Sequence, residues 1–413
     1  MSVKLSDIKN EFSKFLIIKD PYVIDVVLAT LVANLLISKD PVWTLLVANS
    51  SGGKSTLLAP SAAISNIYFI DDITSKTFLS GYAVGKQEVS LLKIMGSGVM
   101  VFSDFSTVLA KDSITRGEIL SQFRCIYDRN FVKRTGKGEI RWGDKGEKLG
   151  MLAASTPDIY FQLESARSMG ERFCFYSISQ PTNEEIVKKQ EEVNLSSKKI
   201  TEELKPFYAE YFAGVRDFIA THLLQDLKMT PEQIEKVHRA AIFCVRGKTS
   251  VHTDFKTGRP DNLANTPGVG RDRKVFNVLL HALQTMYAYE TDDKNACVQD
   301  GHIKIIEKVA WSSVNRERRK ILEILAVTDK PITSSAIGAT GDFGLNREAI
   351  EKHILPLFSV GLIKAQKLKK PYTWFLNEEN GIKEFVKSLT EKEVGEIGSD
   401  EEDEKESEFE AWR

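Results

Sequence analysis

Cysteine is scarce and scattered. Cys125, Cys174, Cys244 and Cys297 are the four in 413 residues, and none falls in a CxxC pair. That spacing argues against a zinc site and a disulfide framework and points to a reducing compartment, the cytoplasm. Histidine is equally thin: six residues without an HExxH or His-Cys grouping give metal catalysis beyond Mg²⁺ no ligand set. No Ser-His-Asp or paired catalytic carboxylate arrangement can be inferred either. Long apolar runs are missing too. The most apolar stretch, Tyr22–Ile37, contains Asp25 and falls short of the roughly 20 residues a membrane span needs. It reads as a buried helix with Asp20 as N-cap and Pro21 at its first position. The N-terminal MSVKLSDIKNEFSKFLIIKD interrupts its apolar residues with charge and has no small-residue cleavage site, so no secretory signal is expected.

Net charge is nearly absent, −1 overall, but it is unevenly divided. Glu391–Arg413 holds eleven acidic residues against Lys392, Lys405 and Arg413, so this tail carries −8 and the other 390 residues carry +7. An acidic tail with few large apolar residues cannot bury enough surface to fold. The basic body suits a polyanionic partner, and the tail suits a basic protein. At 413 residues, with 42% hydrophobic and 27% charged residues, the chain is long enough for two or three soluble domains.

Ala48-Asn49-Ser50-Ser51-Gly52-Gly53-Lys54-Ser55 follows the apolar run Trp43–Val47 and precedes Thr56-Leu57-Leu58. Strand, glycine-bearing loop and helix together form a phosphate cradle, because a loop opening a helix offers unpaired N–H groups to an anion. Gly52 and Gly53 allow the tight turn and Lys54 reaches the β- and γ-phosphates of ATP. Ser55 ligates Mg²⁺, and Thr56 begins the helix. Ala48 stands where the motif usually has glycine. Five apolar runs, Trp43–Val47, Ile67–Ile70, Val99–Phe102, Leu149–Ala154 and Phe173–Ser177, alternate with helices and predict a parallel sheet in an α/β fold. Gly98–Asp104 has the form of a Walker B strand. Asp104 supplies its single carboxylate for metal and water, and Glu118 and Asp128 are weaker alternatives for the water.

From Asn183 the pattern turns helical, with Glu184–Glu192, Ser197–Leu227, Pro231–Cys244 and Lys274–Ala288 as helices. Asn315–Asn377 reads as helix Arg316–Ala326, a short helix near Ser334–Ile337, helix Arg347–Val360, then a ribbon of Leu362–Lys364 and Tyr372–Leu376. That is the order of a winged helix, with Lys364, Lys367, Lys369 and Lys370 on its wing. Between Asp104 and the fourth strand, Phe131–Lys133 and Glu139–Trp142 flank the turn Thr135–Gly138 and predict a hairpin. Lys133, Arg134, Lys137 and Arg141 on it could meet phosphates, and Trp142 could stack on a base.

With LLVANSSGGKSTLL, GVMVFSDFSTVLA, KLGMLAASTPDIY, SMGERFCFYSI and the trailing winged helix in this order, the chain resembles AAA+ ATPases. Within them it is similar to the helicase clade of minichromosome-maintenance proteins and ATPases of phages and mobile elements. The resemblance spans roughly residues 15 to 380. It implies a P-loop AAA+ core over 41–180 behind an N-terminal helical segment 1–40. A helical lid over 181–312, a winged helix over 313–380 and an acidic disordered tail over 381–413 follow. It further implies sensor-1 residues at Ser155 and Thr156 and an arginine finger at Arg172 that serves a neighbouring subunit. The hairpin takes the place of the one that grips DNA in a ring channel, and sensor 2 falls to Arg271 or Arg273. The function implied is an oligomeric, hexameric DNA motor or remodeller hydrolysing ATP at subunit interfaces. A nucleotide-gated regulator or loader with slow turnover and an ATP-driven protein remodeller are the alternatives.

Overall fold

The computed structural model describes residues 2–390 apart from 38–39, 51, 80–82, 85–86, 89, 136–137, 161, 163–171, 194–195, 223–225, 250, 252–265, 267, 329, 342, 344–346 and 367–371. Ser51 of the expected phosphate loop, Lys137 of the hairpin turn, Lys367, Lys369 and Lys370 of the expected wing, and the tail from Glu391 lie outside the described residues. The chain divides into two compact units, Met1–Ile234 with Gly270–Ser313, and Glu235–Val269 with Val314–Arg413. Residues 235–269, expected within the helical segment 181–312, thus fall in the second unit.

The first unit is built on a five-stranded, wholly parallel sheet, the α/β core expected from the sequence. Its strands are β1 (Trp43–Val47), β2 (Ile67–Phe69), β5 (Gly98–Phe102), β8 (Leu149–Ser155) and β9 (Phe173–Ser177), in the order β2-β5-β8-β1-β9. Two small antiparallel pairs branch from it, β3 (Ala83–Val84) with β4 (Gln87–Glu88) and β6 (Phe131–Thr135) with β7 (Gly138–Trp142). β1, β5 and β8 are buried throughout, which is why they read as continuous apolar runs with no alternation.

Each face of the sheet has its own cover. Trp43, Leu45 and Val47 point into an aromatic cluster with Phe78, Phe102, Phe105 and Phe173 and with Phe123 of α6 (Ser113–Tyr127). On the opposite face Thr44 hydrogen-bonds Thr30 of α2 (Val23–Val32) at 2.7 Å. Helix α2 packs on β1 and β8 and, on its other side, on the helix Gly270–Thr291, so it is apolar around its whole circumference. It starts two residues later than Asp20-Pro21 suggested, with Tyr22 as N-cap. The Asp20 carboxylate does accept from the Tyr22 N–H (3.1 Å), and it is also buried against the Lys308 ammonium (2.6 Å) and the Tyr176 hydroxyl (2.8 Å).

The topology fixes where a ligand can sit. From β1 the chain crosses to the far edge at β2, and then returns stepwise through β5 and β8 to β9. Right-handed crossovers in opposite directions put the connections on opposite faces, which opens a crevice at the carboxyl end of β1. The loop Ala48–Gly53 leads from that end into α3 (Lys54–Leu58), which tightens into a 3₁₀ turn over Ala59–Ala63.

In the second unit the order is helix Arg316–Val327, strand β10 (Ile332–Thr333), helices Ser334–Thr340 and Arg347–Ser359, then strands β11 (Ile363–Gln366) and β12 (Thr373–Leu376). β12 lies between β10 and β11 in an antiparallel sheet. The helix Pro231–Lys248 joins this unit through Phe243, whose ring lies tilted 4.8 Å from that of Phe385, and through Arg246, which donates to the Gly361 carbonyl. Residues 382–390, expected in the disordered tail, are helical, because Ile382, Phe385 and Val386 are apolar enough to be buried.

Candidate functional site

Three adjacent strands end at the crevice, and each delivers one polar group to it. From β1 comes the phosphate loop. Its Gly53 has φ of +72°, a left-handed conformation that only glycine adopts freely, and this turn aims the first N–H groups of α3 outward. The Lys54 ammonium folds back over the loop and donates to the Ala48 and Asn49 carbonyls, both at 2.7 Å. Burial holds its pKa below that of an ordinary lysine, with the Asp104 carboxylate acting in the opposite direction. An anion in the loop would meet a cation whose desolvation has already occurred.

From β5 comes Asp104, exposed at the strand end. Its Oδ1 accepts from the Ser106 N–H (2.9 Å) and hydroxyl (2.5 Å) and so caps the first turn of α5 (Ser106–Leu109). From β8 comes Ser155, 1% exposed, whose carbonyl accepts from the Ala48 N–H at 3.2 Å. Its hydroxyl is buried and has no hydrogen-bond partner. A buried hydroxyl left unpaired costs about 1–3 kcal/mol, and such groups in native proteins usually mark a missing ligand or water. Thr156, the next residue, is half-buried, and its carbonyl accepts from Ile159 N–H.

Beside the loop Ala48–Gly53 lies a cleft with a largely apolar lining of Phe15, Leu16, Ile17, Ile18, Leu57, Ile178, Pro181 and Ile186. It opens into a wider, polar mouth bordered by Gly52, Gly53, Lys54, Ser55, Thr56, Gln190 and Ser196. An apolar slot joined to a polar mouth suits a ligand with a flat ring at one end and charge at the other. The hard oxygens of Ser55 and Asp104, both exposed, fit a Mg²⁺ ion better than a softer metal. Sequence reasoning missed the slot. Its walls come from Phe15–Ile18 ahead of the sheet and Ile178–Ile186 behind it, and the only trace was the apolar FLII set between charged neighbours. It also missed Gln180, whose Oε1 accepts from the Asn49 N–H at 3.1 Å.

Other residues singled out in the sequence lie at the opposite edge of the sheet, where the parallel strands begin. A five-residue strand at about 3.3 Å per residue separates the two edges by about 15 Å. Arg271 and Arg273 are exposed on the first turn of Gly270–Thr291, and the neighbouring Lys274 pairs with Asp40 at the foot of β1 (2.8 Å). They do not reach the phosphate loop of their own chain, so the expectation of a sensor-2 arginine there is not met within one subunit. Arg172 precedes β9 and is 8% exposed. It donates to Asp128 at 2.8 Å and its guanidinium lies 5.5 Å from the centre of the Tyr127 ring. Asp128 is therefore remote from Lys54 and is not a base for water there, and Glu118 is exposed on α6.

The hairpin forms as expected, with Val132 opposite Arg141 and Arg134 opposite Glu139. Glu139 accepts from both Arg134 (2.9 Å) and Arg141, which hold its carboxyl below the usual range. Lys133 is half-buried and donates to the Leu79 carbonyl. Trp142 corrects the stacking expectation. It is 1% exposed and its indole N–H donates to the Gly96 carbonyl at 3.0 Å, so it anchors the hairpin's foot in the core.

No protein-family model and no curated protein matches the chain. Among solved structures it is similar to the SCCmec type IV Cch active helicase, at 11% identity and a TM-score of 0.37 over 93% of this chain and 72% of that one. It is similar also to the Aeropyrum pernix ORC2 protein in its ADPNP-ADP complexes, at 12% identity and a TM-score of 0.30 over 94% and 98%. Among the described residues no helix is long and apolar enough to cross a membrane, and no group of three His, Cys, Asp or Glu side chains could hold a metal.

Proposed function

We propose that the chain is an AAA+ ATPase that binds ATP at the carboxyl edge of its sheet and uses hydrolysis to move or remodel DNA. The observation that carries this reading is the convergence there of the Lys54 ammonium, the Asp104 carboxylate and the unpartnered Ser155 hydroxyl beside an apolar slot. The base of ATP would enter the slot and the phosphates would lie along Asn49–Thr56. Mg²⁺, held by Ser55 and Asp104, would supply charge neutralisation at the β- and γ-phosphates. Lys54 would turn one N–H from a loop carbonyl to the γ-phosphate, and the Ser155 hydroxyl, with Thr156 beside it, would orient that phosphate or the attacking water.

Arg172 sits at the far edge of its own sheet, so any part it takes in phosphoryl transfer is in the site of another subunit. This supports a ring-like homo-oligomer, a hexamer in our reading. Arg134 and Arg141, with side chains 84% and 54% exposed, extend from the core on the hairpin and would contact the DNA backbone. In the same reading the C-terminal helices and three-stranded sheet are a winged helix.

One observation favours a slower machine. Asp104 is flanked by Ser103 and Phe105, and its carboxylate is already engaged by Ser106. A nucleotide-gated DNA-binding regulator would need no more than this. The ATPase rate with and without single- and double-stranded DNA separates the readings. A motor is stimulated by one of them, and a regulator turns over slowly with either. A protein remodeller responds to neither.

A further inference from the structure

Half of the Gln180 amide is used and half is idle. The Asn49 N–H is a donor, so the atom that meets it at 3.1 Å is Oε1, and the NH₂ is turned away from it. That nitrogen is buried and has no hydrogen-bond partner. It lies hard against the phosphate loop, because a Cβ added to Gly52 would fall 1.6 Å from it. The same point is 3.1 Å from the Asn49 carbonyl oxygen. A buried donor and a loop acceptor thus flank one glycine without bonding. The acceptor is already served, by the Lys54 ammonium at 2.7 Å and the Gly52 N–H at 3.3 Å. An orphaned buried N–H is costly, so its persistence points to a second state in which it is used.

We propose that Gln180 is a positioning residue that takes over the Asn49 carbonyl when Lys54 turns from it to a nucleotide phosphate. The inference rests on reading the loop as a nucleotide site. Hydrogen bonds balance in the exchange. Lys54 has three N–H donors, keeps its bond to Ala48 and moves another to the phosphate, while the idle Gln180 N–H replaces it on Asn49. Oε1 holds the Asn49 N–H throughout, so one side chain fixes both polar groups of that peptide and the loop keeps its shape. Gly52 is needed for the amide to lie this close. Glutamate would keep the acceptor and lose the donor, and asparagine would be one methylene too short.

The test is calorimetric titration of the full-length protein with Mg²⁺-ATP and Mg²⁺-ADP, comparing wild type, Gln180→Glu and Lys54→Ala, with a thermal melt of each. Gln180→Glu should melt near wild type, since the Asn49 bond survives, yet bind nucleotide about tenfold more weakly at pH 8. Its deficit relative to wild type should shrink only as the pH falls through about 4, where a carboxyl takes up a proton and regains a donor. Gln180→Glu binding as wild type at pH 8 overturns the handover and leaves the nucleotide site intact. Wild type binding no nucleotide removes the site and the handover together. Should Gln180→Glu melt early, the side-chain amide signals of wild type, assigned by their loss in Gln180→Ala, decide. They should shift and exchange more slowly on adding Mg²⁺-ATP, and unmoved signals overturn the proposal.

Discussion

The two ends of the central sheet carry similar side chains in opposite states. At the carboxyl end, Lys54 rests on backbone carbonyls, and the Ser155 hydroxyl and the Gln180 amide nitrogen are buried with nothing to bond. At the amino end, charges are matched to charges: Arg172 with Asp128, and Arg129 and Lys274 both with Asp40. Unmet hydrogen-bonding capacity in a buried place has a cost that a ligand removes, whereas a paired ion has its partner already. The first end is therefore built to receive something and the second to be held. If the second end acts on another subunit, it must give up contacts to do so.

The largest expected effect is at Lys54. Lys54→Ala should abolish measurable nucleotide binding and all turnover without lowering the melting temperature, because no core packing depends on it. Unchanged affinity in a titration would erase the contrast between the ends.

Arg172→Ala should follow, lowering hydrolysis by about 10³-fold in the range of residues that complete a phosphoryl-transfer site from a neighbour. Mixing with Lys54→Ala subunits should restore activity, since each then supplies what the other lacks. An active Arg172→Ala enzyme, or an active monomer, would make the amino end purely structural.

Ser155→Ala should leave ATP bound but cut single-turnover hydrolysis by about 10²-fold, the usual loss for one preorganised donor. No loss would mean that its idle hydroxyl serves nothing.

Replacing Arg134 and Arg141 together should weaken DNA binding equally across sequences and reduce the slope of log affinity against log salt by about 2. Deleting Gly395–Arg413 should tighten DNA binding at low salt, since a −7 segment can compete for the same basic surface. Identical salt slopes for all three proteins would sink the hairpin's role.

The smallest effect is a pH dependence at the amino end. Burial, with the nearby Arg129 charge, lowers the Lys148 pKa from 10.5 to about 8. Between those values the unfolded chain binds a proton that the folded chain does not, so stability should rise with pH over that window. Lys148→Met should flatten the rise in denaturation curves at pH 8 and 10. An unaltered slope would show that Lys148 is not its source.

Much of this was legible before any folding. The buried strands read as apolar runs because both faces are covered, and GGKS stood out as a candidate phosphate loop because its glycines and lysine are adjacent in sequence. Roles that depend on distant partners were less legible. Trp142 looked like a base-stacking residue, since a tryptophan next to an arginine reads alike whether it faces solvent or the core. Asp20 read as a cap and does accept from the Tyr22 N–H, but its buried partners Lys308 and Tyr176 are far along the chain. Arg271 and Arg273 carried the right charge and lie at the wrong end of the sheet for their own phosphate loop.

What the sequence by itself determined is local. Strand and helix periodicity, the glycine turn at Gly53, and the charge divided between body and tail need only near neighbours. Tertiary structure decided which polar groups meet. The return of β8 beside β1 brings Ser155 to Ala48, and β9 on the other side carries Gln180 onto Gly52. Those encounters join residues more than a hundred positions apart. The unmet bonds that mark the site exist only once burial has removed the water that would otherwise have filled them.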